Sequence, residues 1–245
     1  MNLKTIALLS CLGIHTFATA AEYRKFTDAK GRTLSAELIR YNDLQKKVTI
    51  KCKGKGIKTV PVSIFSETDQ KYIASWNQNQ DFLSEKKLLV EFKRRKRKNV
   101  EVSYSTTSGG RTWYECNFNI ELTNKSTTGF DKIELEYVVF YSQDHYIQNN
   151  ADREERHGTL YKQEVINLPK KSTKEFETEK ILLFQRKVGS TSYGKPDLRG
   201  EVHGIILNIS MKSETGETIS RQIKYPDNLN HVWTSSTKNV QIAPY

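Results

Sequence analysis

Apolar and polar residues alternate at period two along most of this chain, and that period belongs to strands. Leu34, Ala36 and Leu38 alternate with Ser35 and Glu37, and Val48, Ile50 and Cys52 repeat the pattern. Tyr23 to Thr27 and Ile57 to Val62 predict two more strands in the same stretch. Turns at Asp28-Ala29-Lys30-Gly31 and Lys53-Gly54-Lys55-Gly56 separate them, because glycine reaches positive φ without steric cost. Pro61 cannot donate to a ladder, so the fourth strand is an edge or ends there. The period then changes. Ser66 can cap a helix, with Asp69 three residues on as a weaker capping-box partner. Glu67 and Asp69 suit the positive end of the helix dipole, and Tyr72, Ile73 and Trp76 share one helical face. Trp76 is expected to lie as a lid over the small set of strands, because about sixty residues bury little core.

Beyond the polar stretch Asn77-Gln78-Asn79-Gln80-Asp81, expected to be a linker, the alternation resumes. It runs through Leu88-Val90-Phe92, Val100-Val102-Tyr104, Tyr114 to Leu122, Ile133-Leu135-Tyr137-Val139-Tyr141 and Ile205-Leu207-Ile209-Met211. Weaker candidates are His157 to Ile166, Thr173 to Phe184 and Thr218 to Tyr225. Turn residues lie between these runs, and Arg186 to Glu201 is a long connection rich in Gly and Ser. About eight strands of this spacing predict an immunoglobulin- or fibronectin-like β-sandwich. The expected fold is therefore mainly β. A small barrel with a C-terminal helix (21–76) comes first, then a linker (77–86), a sandwich (87–233) and a tail (234–245).

The apolar run at the start changes the picture of where this chain works. Asn2 to Lys4, then Ile6 to Ile14, then Ala18-Thr19-Ala20 follow the order of an export signal with a small-residue cleavage site. The run is shorter than the roughly 20 residues a membrane helix needs. Residues 1–20 are thus expected to be removed near Ala20, leaving an exported chain without a membrane span. Leu8-Leu9-Ser10-Cys11 also resembles a lipobox, which would make Cys11 a lipidated terminus. Cys52 and Cys116 each sit in phase with the apolar face of their own strand, which predicts two separate buried thiols rather than a disulfide.

Charge is unevenly placed. Residues 21–80 hold 12 Lys/Arg against 6 Asp/Glu, residues 81–98 hold 8 against 3, and residues 99–245 hold 18 against 19. The excess centres on Lys93, Arg94, Arg95, Lys96, Arg97 and Lys98, six basic residues in succession between two apolar alternations. Export removes the use of a nuclear address, and no aromatic interrupts the run as in single-strand binders. Two readings remain. The run is a solvated edge that discourages strand pairing. Alternatively it attracts anionic envelope polymers or lipid headgroups, with no specific nucleic acid expected.

The order of residues in the first stretch adds a resemblance. Arg24-x-Phe26-Thr27-Asp28-x-x-Gly31, Ala36-Glu37-Leu38, Val48-x-Ile50 and Val60-Pro61-x-x-x-Phe65-Ser66-x-x-Asp69-x-x-Tyr72-Ile73 follow one another. This pattern resembles the Sla-type homology domain one, a module of yeast endocytic adaptors that also opens exported proteins of planctomycete- and verrucomicrobium-like bacteria. The resemblance covers about residues 22–76. It implies an SH3-like barrel with an added helix and a role in binding short peptides. "LTNKS", "IELEYVVFY" and "LRGEVHGIILNI" look like the companion β domain of those exported proteins.

Chemistry is sparse. His145, His157, His203 and His231 show no local metal-binding spacing, and no nucleophile elbow or phosphate loop occurs. No catalytic residue, metal or cofactor is expected. Asp152, Glu154 and Glu155 are interleaved with Arg153 and Arg156 and predict a solvated charged turn, and His203 is expected to face solvent. The expected function is non-catalytic: binding of a protein or short peptide through the first domain, with Tyr41, Lys51 and Lys53 as candidate contacts. The alternative is polyanion binding through Lys93 to Lys98.

Overall fold

The computed structural model describes residues 23–102, 111–147, 152–187, 197–214, 216–233, 239–240 and 242. The expected export segment, Cys11 included, lies outside them. The chain is mainly β with antiparallel sheets, and divides into two compact units, Met1–Ile73 and Ala74–Tyr245.

The first unit holds β1 (Arg24–Thr27), β2 (Thr33–Asn42), β3 (Lys47–Cys52) and β4 (Gly56–Pro61), hydrogen-bonded in that order. The alternating apolar positions converge: Phe26, Ala36, Val48, Ile50, Cys52, Phe65 and Ile73 form one buried cluster. The turn from β1 to β2 is held by the Asp28 carboxylate, which accepts the amides of Lys30 and Arg32, while Gly31 takes φ 77°. β4 ends at Pro61, and a 3-10 turn at Val62–Ile64 leads to the helix α1 (Glu67–Leu83). Ser66 Oγ accepts the Asp69 amide at 3.3 Å and donates to the Asp69 carboxylate at 3.1 Å. Buried Asp69 also accepts the Thr27 amide at 2.7 Å and pairs with Arg24, so the cap ties the helix to β1. The cluster is closed by Tyr72 and Ile73; Trp76, expected there as a lid, is not one of its members. Asn77 to Asp81, expected as a linker, are helical.

The second unit has eight described strands in two sheets. One sheet takes β5 (Leu88–Val102), β6 (Arg111–Asn124), β9 (Thr173–Glu177) and β10 (Ile181–Arg186). Its order is β10-β6-β5, with β9 also on β6. The other takes β7 (Phe130–Tyr146), β8 (Arg153–Leu168), β11 (Gly200–Lys212) and β12 (Thr218–Tyr225), in the order β12-β11-β7-β8. Side chains of both sheets meet in one buried cluster, with Leu88, Phe118, Ile120 and Leu122 from the first and Leu135, Tyr137, Ile205 and Leu207 from the second. Cys116 belongs to this cluster and Cys52 to the other; both are buried free thiols.

Three expectations change here. Leu88 to Phe92 and Val100-Val102 are one strand rather than two, and the basic run is its middle. Tyr104 lies outside the described residues. Arg153 to Arg156, expected as a charged turn, open β8, where each pairs with a residue of β7. Asn239, Val240 and Ile242, expected in a tail, are held: Val240 exchanges backbone hydrogen bonds with Thr159 of β8, and Ile242 packs on the main core. A close approach explains one glycine of β8. A Cβ on Gly158 would stand 2.3 Å from Tyr141 Cζ on the neighbouring strand.

Candidate functional site

The basic run inherits the period of the strand that contains it. In an antiparallel ladder, directly opposed residues point to the same face. Arg94 lies opposite Phe118 and Lys96 opposite Cys116, and both of those partners are buried core residues. Arg94 and Lys96 therefore continue the inward phase of Leu88, Val90 and Phe92, at the open edge of the sheet. Lys93, Arg95 and Arg97 lie opposite Asn119, Asn117 and Glu115 and take the outward phase.

The two faces differ in how their charge is met. On the outward face, Lys93 approaches Glu121 at 3.7 Å, and Arg95 reaches Glu177, which also accepts a hydrogen bond from Asn117. On the inward face, no ion pair to Arg94 or Lys96 occurs among the described residues. Lys96 Nζ stands 4.2 Å from the centroid of the Tyr114 ring, a cation–π contact. Arg94 and Lys96 line a cavity of about 280 Å³ together with Tyr114, Gln185, Arg199 and Glu201. Arg199 arrives from the chain entering β11, where its amide donates to Asp144 Oδ2 at 2.9 Å. Burial pushes the Cys116 thiol up, and Arg94 and Lys96 work against that rise, as two cations over the same face should. The lining thus holds three cations and one carboxylate. That set suits an anionic group with oxygen acceptors, and Arg offers it a planar fork. Lys98 belongs to β5, opposite Tyr114; its side chain lies outside the described ones.

The residues expected to meet a peptide are not on one face. Lys51, on β3, is exposed opposite Glu37 and Ile57. Tyr41 lies opposite Val48, is partly buried and packs on the first unit's core. Lys53 is exposed in the turn after β3, where its amide donates to the Ser35 carbonyl.

A second constellation was invisible to local spacing. On the outer face of the sheet β12-β11-β7-β8, His157 of β8 sits opposite Ser142 of β7. His203 of β11, at a bulge between Val202 and Gly204, reaches the same serine, with Nε2 2.9 Å from Ser142 Oγ. Glu155, two residues before His157, shares its face and comes within 3.9 Å of His203 Nε2. The Ser142 hydroxyl, followed by the two imidazoles and Arg153, holds the Glu155 carboxyl below its usual range. His231, in the segment after β12, stacks on His203 with ring centroids 5.6 Å apart and on Phe140 at 4.4 Å. Burial, then the charge of His203 and His157, pushes the His231 imidazole pKa down. His203, expected to be solvated, is half-buried within this group.

Sequence reasoning missed Arg199 and the histidine group because both depend on cross-strand register. One signal was present. The inward phase set by Leu88, Val90 and Phe92 already separates Arg94 and Lys96 from Lys93 and Arg95.

No family model and no curated protein matches the chain. Solved structures that are similar in part include the following two. One is an X-ray structure of a Northeast Structural Genomics Consortium target, at 13% identity over 64% of this chain and 95% of that one, with a TM-score of 0.24. The other is Spo0M, a sporulation control protein from Bacillus subtilis, at 8% identity over 56% of this chain and 48% of that one, with a TM-score of 0.20. At such scores neither likeness bears on fold or function.

Proposed function

We propose that this is an exported, non-catalytic binding protein whose second unit, an immunoglobulin-like sandwich, takes anionic groups of an envelope polymer into the cavity beside β5. The observation that carries this reading is the convergence of Arg94, Lys96 and Arg199 on one 280 Å³ cavity without an ion pair to Arg94 or Lys96 among the described residues. Unmatched cations of this kind gain from an anionic ligand, whereas Lys93 and Arg95 already face carboxylates. The first unit, read as an SH3-like module of the Sla-type, would serve as a second interaction surface. Tyr41, Lys51 and Lys53 give that surface less support, because Tyr41 is turned into the core while Lys51 faces outward.

The test uses linear polyphosphate as the probe, titrated at several salt concentrations. Affinity should fall linearly with log salt, since binding releases counterions. Replacing Arg94, Lys96 and Arg199 together by Gln should weaken binding and flatten the salt slope by about one unit per lost contact. The matched variant Lys93→Gln/Arg95→Gln/Arg97→Gln should change it far less. A flat salt response, or equal losses from the two triple variants, would remove the proposal.

A further inference from the structure

We propose that Glu155, His157 and His203 form a binding site for a divalent transition-metal ion of the zinc class, separate from the anion cavity. One ligand atom from each of the three lies within 4.8 Å of the other two. Such an ion bonds to imidazole nitrogen and carboxylate oxygen at about 2.0–2.2 Å, so its ligand atoms stand about 3–3.5 Å apart. The three groups are therefore about an ångström too open and must close slightly. They are free to do so: the Glu155 side chain is 51% exposed and that of His203 25%.

The backbone places the donors where closing is easy. β8 and β11 flank β7, so a residue on each reaches over the same central position, Ser142. His157 comes from one side. His203 comes from the other, at the β11 bulge between Val202 and Gly204. The imidazole centroids end 6.1 Å apart. Ser142 is a small, buried side chain between them that hydrogen-bonds the Glu155 carboxylate and His203 Nε2, and its hydroxyl must release that nitrogen when an ion takes it.

The donor set selects the ion. Two imidazoles and one carboxylate suit zinc, copper, nickel or iron, whereas calcium and magnesium prefer oxygen throughout. Glu155 neutralises part of the ion's charge and His231 walls the His203 side by ring stacking. Three protein ligands leave a coordination position for water or an external ligand.

The experiment is zinc titration of the folded full chain, free of any histidine tag, by competition with a chromophoric chelator. One saturable equivalent is expected. His157→Ala and His203→Asn should each weaken it at least about tenfold, and Glu155→Gln less. His157 is exposed, so His157→Ala leaves the core untouched and decides the matter even if His203→Asn fails to fold. Absence of saturable binding, or one equivalent retained in folded His157→Ala at unchanged affinity, overturns the site. Neither result touches the polyphosphate test, which depends on Arg94, Lys96 and Arg199.

Discussion

Single residues in this chain take their roles from the strands beside them. Tyr137 is 1% exposed in the core of the second unit, and its hydroxyl accepts the Glu179 amide at 3.3 Å. Burial raises its pKa from 10.0 to about 12, chiefly because a phenolate cannot be solvated there. The folded state thus prefers the neutral phenol. That preference stabilises fully below pH 10 and is lost as pH climbs from about 10 through about 12, a change of about 2–3 kcal/mol. Thermal melts across that window should show the second unit losing stability. Tyr137→Phe should lose less there, while at neutral pH it costs about 1 kcal/mol for the orphaned Glu179 amide. An identical alkaline profile in the variant would show that Tyr137 is not the responsible group.

Elements were legible where the apolar period was unbroken and flanked by turn residues. β3 and β11 follow the alternations of Val48-Ile50-Cys52 and Ile205 to Met211, while β12 was the weaker candidate Thr218 to Tyr225. β5 was legible only in pieces, because six charged residues mask a period that the backbone keeps. At the end of the order β10-β6-β5, it presents an edge that Lys and Arg help keep from pairing with another chain. The hairpin between β3 and β4 offers a clean measurement of turn chemistry. Gly56 has φ 76°, and an added Cβ would meet nothing within 4 Å. Gly56→Ala should therefore destabilise by backbone strain alone, about 1–2 kcal/mol, with Gly56→Asn milder. Urea denaturation distinguishes them; equal stability of all three chains would show that the turn relaxes to another φ.

At the scale of the whole molecule, two buried clusters share no residue, and α1 runs through the boundary between the units. All three tryptophans fall in the second unit, so their fluorescence reports that unit while circular dichroism reports both. Ile50→Ala opens a cavity in the first core and should cost about 2–5 kcal/mol there. The first unit's transition should move by that amount and the tryptophan transition should stay. If both move together, the helix couples the units into one cooperative system.

The sequence alone determined that this chain is mainly β, where most strands and turns fall, and which face of most strands is apolar. Those properties are local: they follow from side-chain alternation and from the φ values glycine and proline allow. It also located the charge excess. Tertiary structure decided what that charge meets. The register of β5 on β6 turns Arg94 and Lys96 toward Tyr114 and Arg199, and sets Lys93 and Arg95 against Glu121 and Glu177. The register of β8 and β11 on β7, with one bulge, gathers His157 and His203, 46 positions apart in the chain, around one serine. Cross-strand register comes from the packing of whole apolar faces, so local phase could separate Arg94 and Lys96 from Lys93 and Arg95 but could not announce Arg199 or the histidine group.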